Sequence, residues 1–388
     1  MSTPTKTPAP SKSTGSSKQA STSRLDSWEG ITSSPVRPAP ARLGLITLGA
    51  GVVVGLLAWL VLSNIALGVV IGYLVYVIGT YVAHRSVAGR RVGKDQLMRA
   101  LVYGAFALAL LPLVSLLLTV VTNGIPRAFN PDFLQQTMNG ITGLADQQYA
   151  DGTAPFIGGA YHAIMGTLII TGVATVISVP IGMFAAIYLV EYGGKTRLTQ
   201  AIRFFVDVMT GIPSIVAGLF AFALFGVIFG IGTKNGFAGA IALSVLMIPT
   251  VVRNSEEMLR IVPNELREAS LALGVPKWRT IYKVVLPTAA SGLASGVTLA
   301  IARVIGETAP LLVAVGGFYA LNYNPFSGPM QTLAVYAYEM FTKPLNPGVR
   351  DPSLERAWAA ALILVVIVIA LNLSARLIAK VFAPKTGR

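Results

Sequence analysis

The sequence contains no cysteine and only two histidines in 388 residues. The missing cysteines exclude disulfides, thiolate metal sites and cysteine nucleophiles. Two histidines are too few for most imidazole metal sites and acid–base arrays, so neither a metal site nor a catalytic residue is predicted. Charged residues make up 12% of the chain, whereas a soluble domain carries about a quarter. This shortage argues against a soluble globular enzyme.

Hydrophobic residues make up 54% of the chain and fall into long runs. A bilayer core of about 30 Å requires about 20 apolar residues in one helical crossing. The sequence therefore predicts an all-α polytopic membrane protein. Its eight predicted spans are residues 43–62, 65–82, 98–121, 160–190, 201–229, 237–252, 285–316 and 357–382.

The basic residues are unevenly divided between the two sides of these spans. If the N-terminus is inside, 24 of the 30 lysines and arginines lie on the inner side. Cytoplasmic loops carry such an excess, so both termini are predicted to be cytoplasmic, in a cell (inner or plasma) membrane. The net charge of +14 is then a consequence of topology, and no nucleic-acid partner is predicted.

The segments outside the spans differ in composition. Residues 1–42 are rich in serine, threonine and proline, which predicts a disordered cytoplasmic tail. The two long outer loops, 122–159 and 317–356, contain acidic residues among glycine, proline and asparagine. They suit either a docking surface or solvated connectors.

The inner loop at 264–285 has the pattern of two short helices. Asn264 follows a proline and precedes acidic residues that favour a helix N-terminus, and Gly274 followed by Pro276 predicts the end of that helix. A second amphipathic turn contains Trp278. The loop therefore predicts a compact structure on the cytoplasmic face, which composition alone would place on the lipid interface.

The residue pattern of this loop favours a different interpretation. It resembles the EAA loop of ATP-binding cassette (ABC) importer permeases, with serine in place of the second alanine and Val284 in place of isoleucine. The matching residues are Glu268, Ala269, Ser270, Gly274, Leu286 and Pro287. The resemblance implies that this loop couples the permease to an ATPase subunit, with Arg267 and Glu268 orienting the partner's surface.

The resemblance extends over residues 98–383. Passages such as MFAAIYLVEYG, IPTVVRNSEEML and GETAPLL are similar to the phosphate-specific ABC importer permeases of the PstA type. This implies a type I ABC importer core of six transmembrane helices at 98–383. Residues 43–97 would add an extra N-terminal transmembrane hairpin of two helices, about which the resemblance says nothing.

The resemblance also implies partners. They are a second permease subunit of the PstC type, a dimer of PstB-type ATPase subunits and an extracytoplasmic phosphate-binding protein of the PstS type. The chain would be a non-enzymatic subunit with no cofactor of its own, since ATP and Mg²⁺ would be bound by the ATPase. The string Gly194-Lys195-Thr196 is not a P-loop, because the first glycine of that motif is replaced by Leu189.

Charged residues inside spans are costly and therefore candidates for the substrate path. Arg303 and Glu307 are four residues apart, which on a helix would place them on one face as an ion pair. The pair is either structural, or phosphate competes with Glu307 for the guanidinium of Arg303. Arg253 is a second candidate and otherwise an ordinary cytoplasmic anchor. Asp207, predicted to pair with Arg203 at i,i+4, is interpreted as structural or gating.

Two alternatives remain open from the residues. The first is a permease for another oxyanion such as sulfate or molybdate. The second is an ATP-independent secondary transporter, which would require an internal repeat and leave the EAA-like loop without a role. The glycine pairs Gly51/Gly55, Gly68/Gly72 and Gly292/Gly296 are predicted to pack helices within the chain.

Overall fold

The computed structural model describes residues 42–382. The predicted tail at 1–42 lies outside the described residues except for Arg42, which begins the first helix. The described part is helical without strands. It divides into two compact units, and the division falls between Val114 and Ser115. The boundary predicted after residue 97 stays a prediction.

The first unit contains a tightly packed hairpin. Helix α1 (Arg42–Leu62) and helix α2 (Ile65–Ala88) are joined by a two-residue turn, and α3 (Arg90–Ala128) begins in this unit. Asn64 caps α2 by accepting a hydrogen bond from the Leu67 amide at 3.2 Å. The predicted glycine pairs face each other here: a Cβ on Gly72 would lie 2.7 Å from the carbonyl oxygen of Gly51. Only glycine permits this backbone approach.

The second unit contains the remainder of α3 and the elements after it. They are α4 (Pro131–Gln135), α5 (Gly143–Ala150), α6 (Tyr161–Ile187), α7 (Arg197–Thr210), α8 (Ser214–Phe229), α9 (Gly236–Ile261), α10 (Asn264–Ala272), α11 (Lys277–Thr280), α12 (Leu286–Val304), α13 (Ala309–Ala314), α14 (Leu333–Thr342) and α15 (Asp351–Phe382). Two π-helical turns, Tyr188–Tyr192 and Ile281–Val285, follow α6 and precede α12.

Helix α9 lies at the centre of this unit. Within its apolar window 61% of the residues are buried, against 28% for α6 and for the span that includes α12. Small residues such as Ala238, Ala240 and Ala242 allow neighbouring helices to approach closely. Pro249 lies inside α9. The helix extends to Ile261, beyond the predicted end at residue 252, and so leads directly into the EAA-like loop.

Seven described helices are long and apolar enough to span a membrane, which makes the chain a multi-pass membrane protein. Seven of the eight predicted spans correspond to them. The fifth, 201–229, stays a prediction: α7 and α8 cover it, and because they meet at 106° they form either one broken span or a re-entrant loop. Gly211 ends α7 and Pro213 precedes α8, so the chain turns between them. The exact division into two plus six spans stays a prediction.

Candidate functional site

The EAA-like loop forms the two short helices that its sequence predicts. Helix α10 begins at Asn264, and Gly274 adopts φ +74° after its end, a conformation that glycine reaches without steric cost. The amide of Gly274 donates to the carbonyl of Leu271 at 2.9 Å. Ser270 Oγ lies 2.9 Å from Thr280 Oγ1, and this hydrogen bond joins α10 to α11. The two helices therefore form one compact element.

The outer surface of this element carries exposed apolar side chains among charged ones, and no other part of residues 42–382 buries it. No residue of α10 is buried, and Glu268 and Ala269 are exposed. Leu273 is 83% exposed and Trp278 is 59% exposed. Large exposed apolar side chains of this kind mark a surface that another protein or a membrane covers. Leu286 is half-buried at the start of α12, and Pro287 lies in its first turn.

The side chain of Arg267 lies mostly beneath the surface of the loop. Its side chain is 16% exposed and pairs with Glu191 inside the chain, and the expectation that it orients a partner's surface stays a prediction. Its Nε donates to Glu191 Oε1 at 3.0 Å, and its two terminal nitrogens donate to the carbonyls of Val262 and Leu259 at 2.6 and 2.8 Å. Glu191, which sequence reasoning missed, lies in the π-helical turn after α6.

A cluster of ion pairs links α7 to the C-terminal part of α9. Asp207 accepts from Arg253 at 2.7 Å. Glu256 is 2.7 Å from Arg203 and 2.5 Å from Arg260. The predicted i,i+4 pair of Arg203 with Asp207 was wrong, because both side chains face α9 and find closer partners across the helix interface.

These charged groups line a pocket. It has a volume of about 250 Å³ and is open on one side. Its lining residues are Leu189, Arg203, Val206, Asp207, Arg253, Glu256, Glu257 and Arg260. The structure thus brings two predicted residues, Arg253 and Asp207, into one polar pocket. Glu256 and Arg260 were missed, although residues 253, 256, 257 and 260 recur at helical spacing and this signal was available.

Arg303 and Glu307 do not form the predicted pair. Helix α12 ends at Val304, and the amide of Glu307 donates to the carbonyl of Val304 in a turn outside the helix. Among residues 42–382 no salt bridge joins the two side chains. Gly306 and Pro310 account for the break, as their position predicts. Arg303 is exposed and Glu307 is half-buried, so the guanidinium has no competing carboxylate at 307.

A second charged cluster joins the predicted outer loop 122–159 to α15, and sequence reasoning missed it. Asp146 in α5 forms a bidentate pair with Arg356 in α15 at 2.7 and 3.1 Å. Both side chains are almost completely buried, at 0% and 1% exposure. Ser353 donates to the same carboxylate at 3.1 Å. The predicted outer segments are therefore folded against α15 in part, and are more than solvated connectors.

The chain is similar to known proteins. Residues 178–388 match the family described as "Binding-protein-dependent transport system inner membrane component". The phosphate transport system permease protein PstA 1 of Mycobacterium tuberculosis (strain CDC 1551 / Oshkosh) is 44% identical over 297 residues, which cover 76% of this chain and 92% of the relative. PstA of Pasteurella multocida (strain Pm70) is 38% identical, over 73% of this chain and 94% of the relative.

The solved structures include an inward-facing MetNI methionine ABC transporter. Its chain is 21% identical, with a TM-score of 0.45 over 58% of this chain and 94% of that chain.

Proposed function

Because the chain belongs to the binding-protein-dependent transport system inner membrane component family, and within it to the PstA-type phosphate permeases, we propose that it is the translocation subunit of an ATP-driven importer of inorganic phosphate. The observation that carries this proposal is the 44% identity to a phosphate permease over 92% of that relative's length. The folded EAA-like loop supports it, since Leu273 and Trp278 on its surface are exposed within the described residues 42–382, as a binding surface requires.

The partners follow from the same assignment. ATP and Mg²⁺ are bound and hydrolysed by a separate PstB-type ATPase dimer, which the loop contacts through Glu268, Ala269, Ser270 and Gly274. Leu286 and Pro287 begin the helix that carries the loop's motion into the membrane. A PstC-type permease completes the path, and a PstS-type protein delivers phosphate on the opposite side. The small residues of α10 support this role because they permit close approach of a partner.

The phosphate path is proposed to include the pocket at the inner end of α9. A free oxyanion competes with Asp207 for Arg253, whose planar guanidinium offers two parallel donors. Because Arg253 is 51% exposed and already paired, the site binds phosphate only modestly. A permeation site needs that property, since a tight site would retain its ion. Arg303 supplies a second cation, and Glu307 lies in the turn after α12.

The topology belongs to the same proposal. The loop, the pocket and both termini lie in the cytoplasm, as the distribution of basic residues indicates. The chain has no cysteine, so a single introduced cysteine reports its own side. We expect Lys195→Cys to react with a membrane-impermeant maleimide only after permeabilisation. Lys343→Cys should react in intact cells, and the reverse pattern would overturn the orientation.

The test of function is ATP-dependent uptake of labelled phosphate by vesicles that contain this chain with its co-purified partners. Sulfate is the competitor. Arg253→Gln and Arg303→Gln should abolish uptake while the ATPase stays bound. Arg99→Gln is the matched control, because Arg99 is 55% exposed and forms only an exposed pair with Asp95. Uptake without ATP, or equal displacement by sulfate, would assign the chain to another transporter class or another oxyanion.

A further inference from the structure

The EAA-like loop is attached to three helices of the second unit. It continues along the chain into α9 at one end and, through the second π-helical turn, into α12 at the other. Its attachment to α6 is different, because α6 ends at Ile187, far earlier in the sequence. Side chains of the loop make that third connection.

One ion pair belongs to this connection. Glu191 is 6% exposed and Arg267 is 16% exposed, and Arg267 Nη2 lies 2.9 Å from Glu191 Oε1. An ion pair at this depth is screened little by solvent and holds its geometry more firmly than a surface pair. The backbone carbonyl of Glu191 also accepts a hydrogen bond from Lys277 Nζ in α11. Both short helices of the loop are therefore tied to the turn that ends α6.

Arg267 simultaneously caps the end of α9. Leu259 and Val262 supply carbonyls from the last turn of α9 and the residue after it, where helical carbonyls lack intrahelical partners. A guanidinium satisfies these carbonyls and also favours the negative end of the helix dipole. One side chain thus connects α6, α9 and α10.

The packing beneath the pair is continuous. Ala186 from α6, Leu259 from α9 and Val285 from the second π-helical turn are buried in one apolar cluster. A displacement of the loop therefore meets close-packed side chains, which transmit motion instead of absorbing it.

We propose that Arg267 and Glu191 are positioning residues that make α6 move with the loop. A conformational change of the ATPase is then transmitted to α6 as well as to α9 and α12. This inference rests on the proposed function, because it assigns a task to the loop during transport. Arg267 acts within the chain, and the exposed surface of α10 acts on the partner.

The experiment is a double-mutant cycle on the assembled complex in vesicles. Glu191→Gln keeps an oxygen acceptor for Arg267 and removes the charge, and Arg267→Gln removes the guanidinium. We expect each variant to bind the ATPase and hydrolyse ATP. Phosphate transported per ATP should fall roughly 2- to 30-fold, the range seen when residues along a coupling network are changed. The double variant should be no worse than the more impaired single variant, because the two residues act through each other.

Matched controls come from the exposed pair in the first unit, Asp95→Asn and Arg99→Gln, which should leave transport per ATP unchanged. If Glu191→Gln prevents assembly, Glu191→Asp keeps the charge at a shorter reach and should show a smaller loss. Wild-type transport per ATP in both Glu191 variants, or additive losses in the cycle, would overturn the proposal. Loss of the ATPase from the Arg267 variant alone would mean that Arg267 contacts the partner. Failure of the wild-type complex to import phosphate would instead overturn the proposed function.

Discussion

Asp146 and Arg356 form a buried ion pair, and we expect the isosteric change Asp146→Asn to cause a large loss of stability. Asp146→Asn removes the negative charge and leaves the guanidinium of Arg356 at 1% exposure with a neutral amide as its neighbour. Removing one partner of a buried ion pair costs about 3–5 kcal/mol, because the remaining charge cannot return to water. The carbonyl of Ile157 and the ring of Phe156 stay in contact with the guanidinium, but neither neutralises it.

The assay is the free energy of unfolding in detergent, measured by denaturant titration. The matched control is Glu355→Gln, which breaks the pair of Glu355 with Arg127. That pair has the same 2.7 Å separation, but its side chains are 37% and 20% exposed. Solvent screening reduces its contribution to about 0–1 kcal/mol. Replacing both buried partners, as in Asp146→Leu with Arg356→Met, should cost less than Asp146→Asn, since no charge is left unpaired. A loss for Asp146→Asn equal to that of the control would refute the reasoning.

Three further predictions concern separate parts of the chain. Gly72→Leu should separate α1 from α2 and lower the free energy of unfolding by about 1–3 kcal/mol. Gly49→Leu should be tolerated, because nothing lies within 4 Å of a Cβ at that position. Spin-label distances across the hairpin would check both expectations. Gly274→Val should reduce transport per ATP because valine at φ +74° is strained, whereas Gly274→Asn, which tolerates that conformation, should keep most of it. Burial raises the pKa of Glu339, while Lys343 and a hydrogen bond from Gln331 oppose this shift. The protonated carboxyl therefore contributes stability that is fully present below the ordinary glutamate pKa. This stability is lost as the pH rises through the raised pKa of Glu339. Glu339→Gln should therefore flatten the fall in melting temperature with rising pH, and an unchanged pH profile would contradict the assignment.

The hydrophobic pattern predicted most of the spans because each bilayer crossing needs a long run of apolar residues, and such a run can be read from sequence alone. It did not predict the bend of 106° between α7 and α8 at residues 201–229, because the composition stays apolar where the chain changes direction. The apolar residues of α7, including Phe204 and Phe205, lie on one face of an amphipathic helix, and a window average does not separate them from those of α8.

The two short helices of the EAA-like loop were predictable because their signals are local in the sequence. The start of a helix after Pro263 and its end before Gly274 depend on the conformations of these residues' own backbone. The role of Gly274 is visible in the sequence, since it requires only one residue's conformation. The direction of the Arg267 side chain is not visible in the sequence, because its partner Glu191 lies 76 positions away.

Sequence by itself determined the fold class, the family and the positions of the loop helices, since these follow from composition, periodicity and a short motif. Tertiary structure alone decided which charges pair. It joined Asp207 to Arg253 and Asp146 to Arg356, and it left Arg303 without Glu307. Ion pairing depends on distances of about 3–4 Å between atoms on different helices, and these distances are set by packing. The helix break after Val304 and the approach of α7 to α9 therefore outweighed the i,i+4 spacing that the sequence displays.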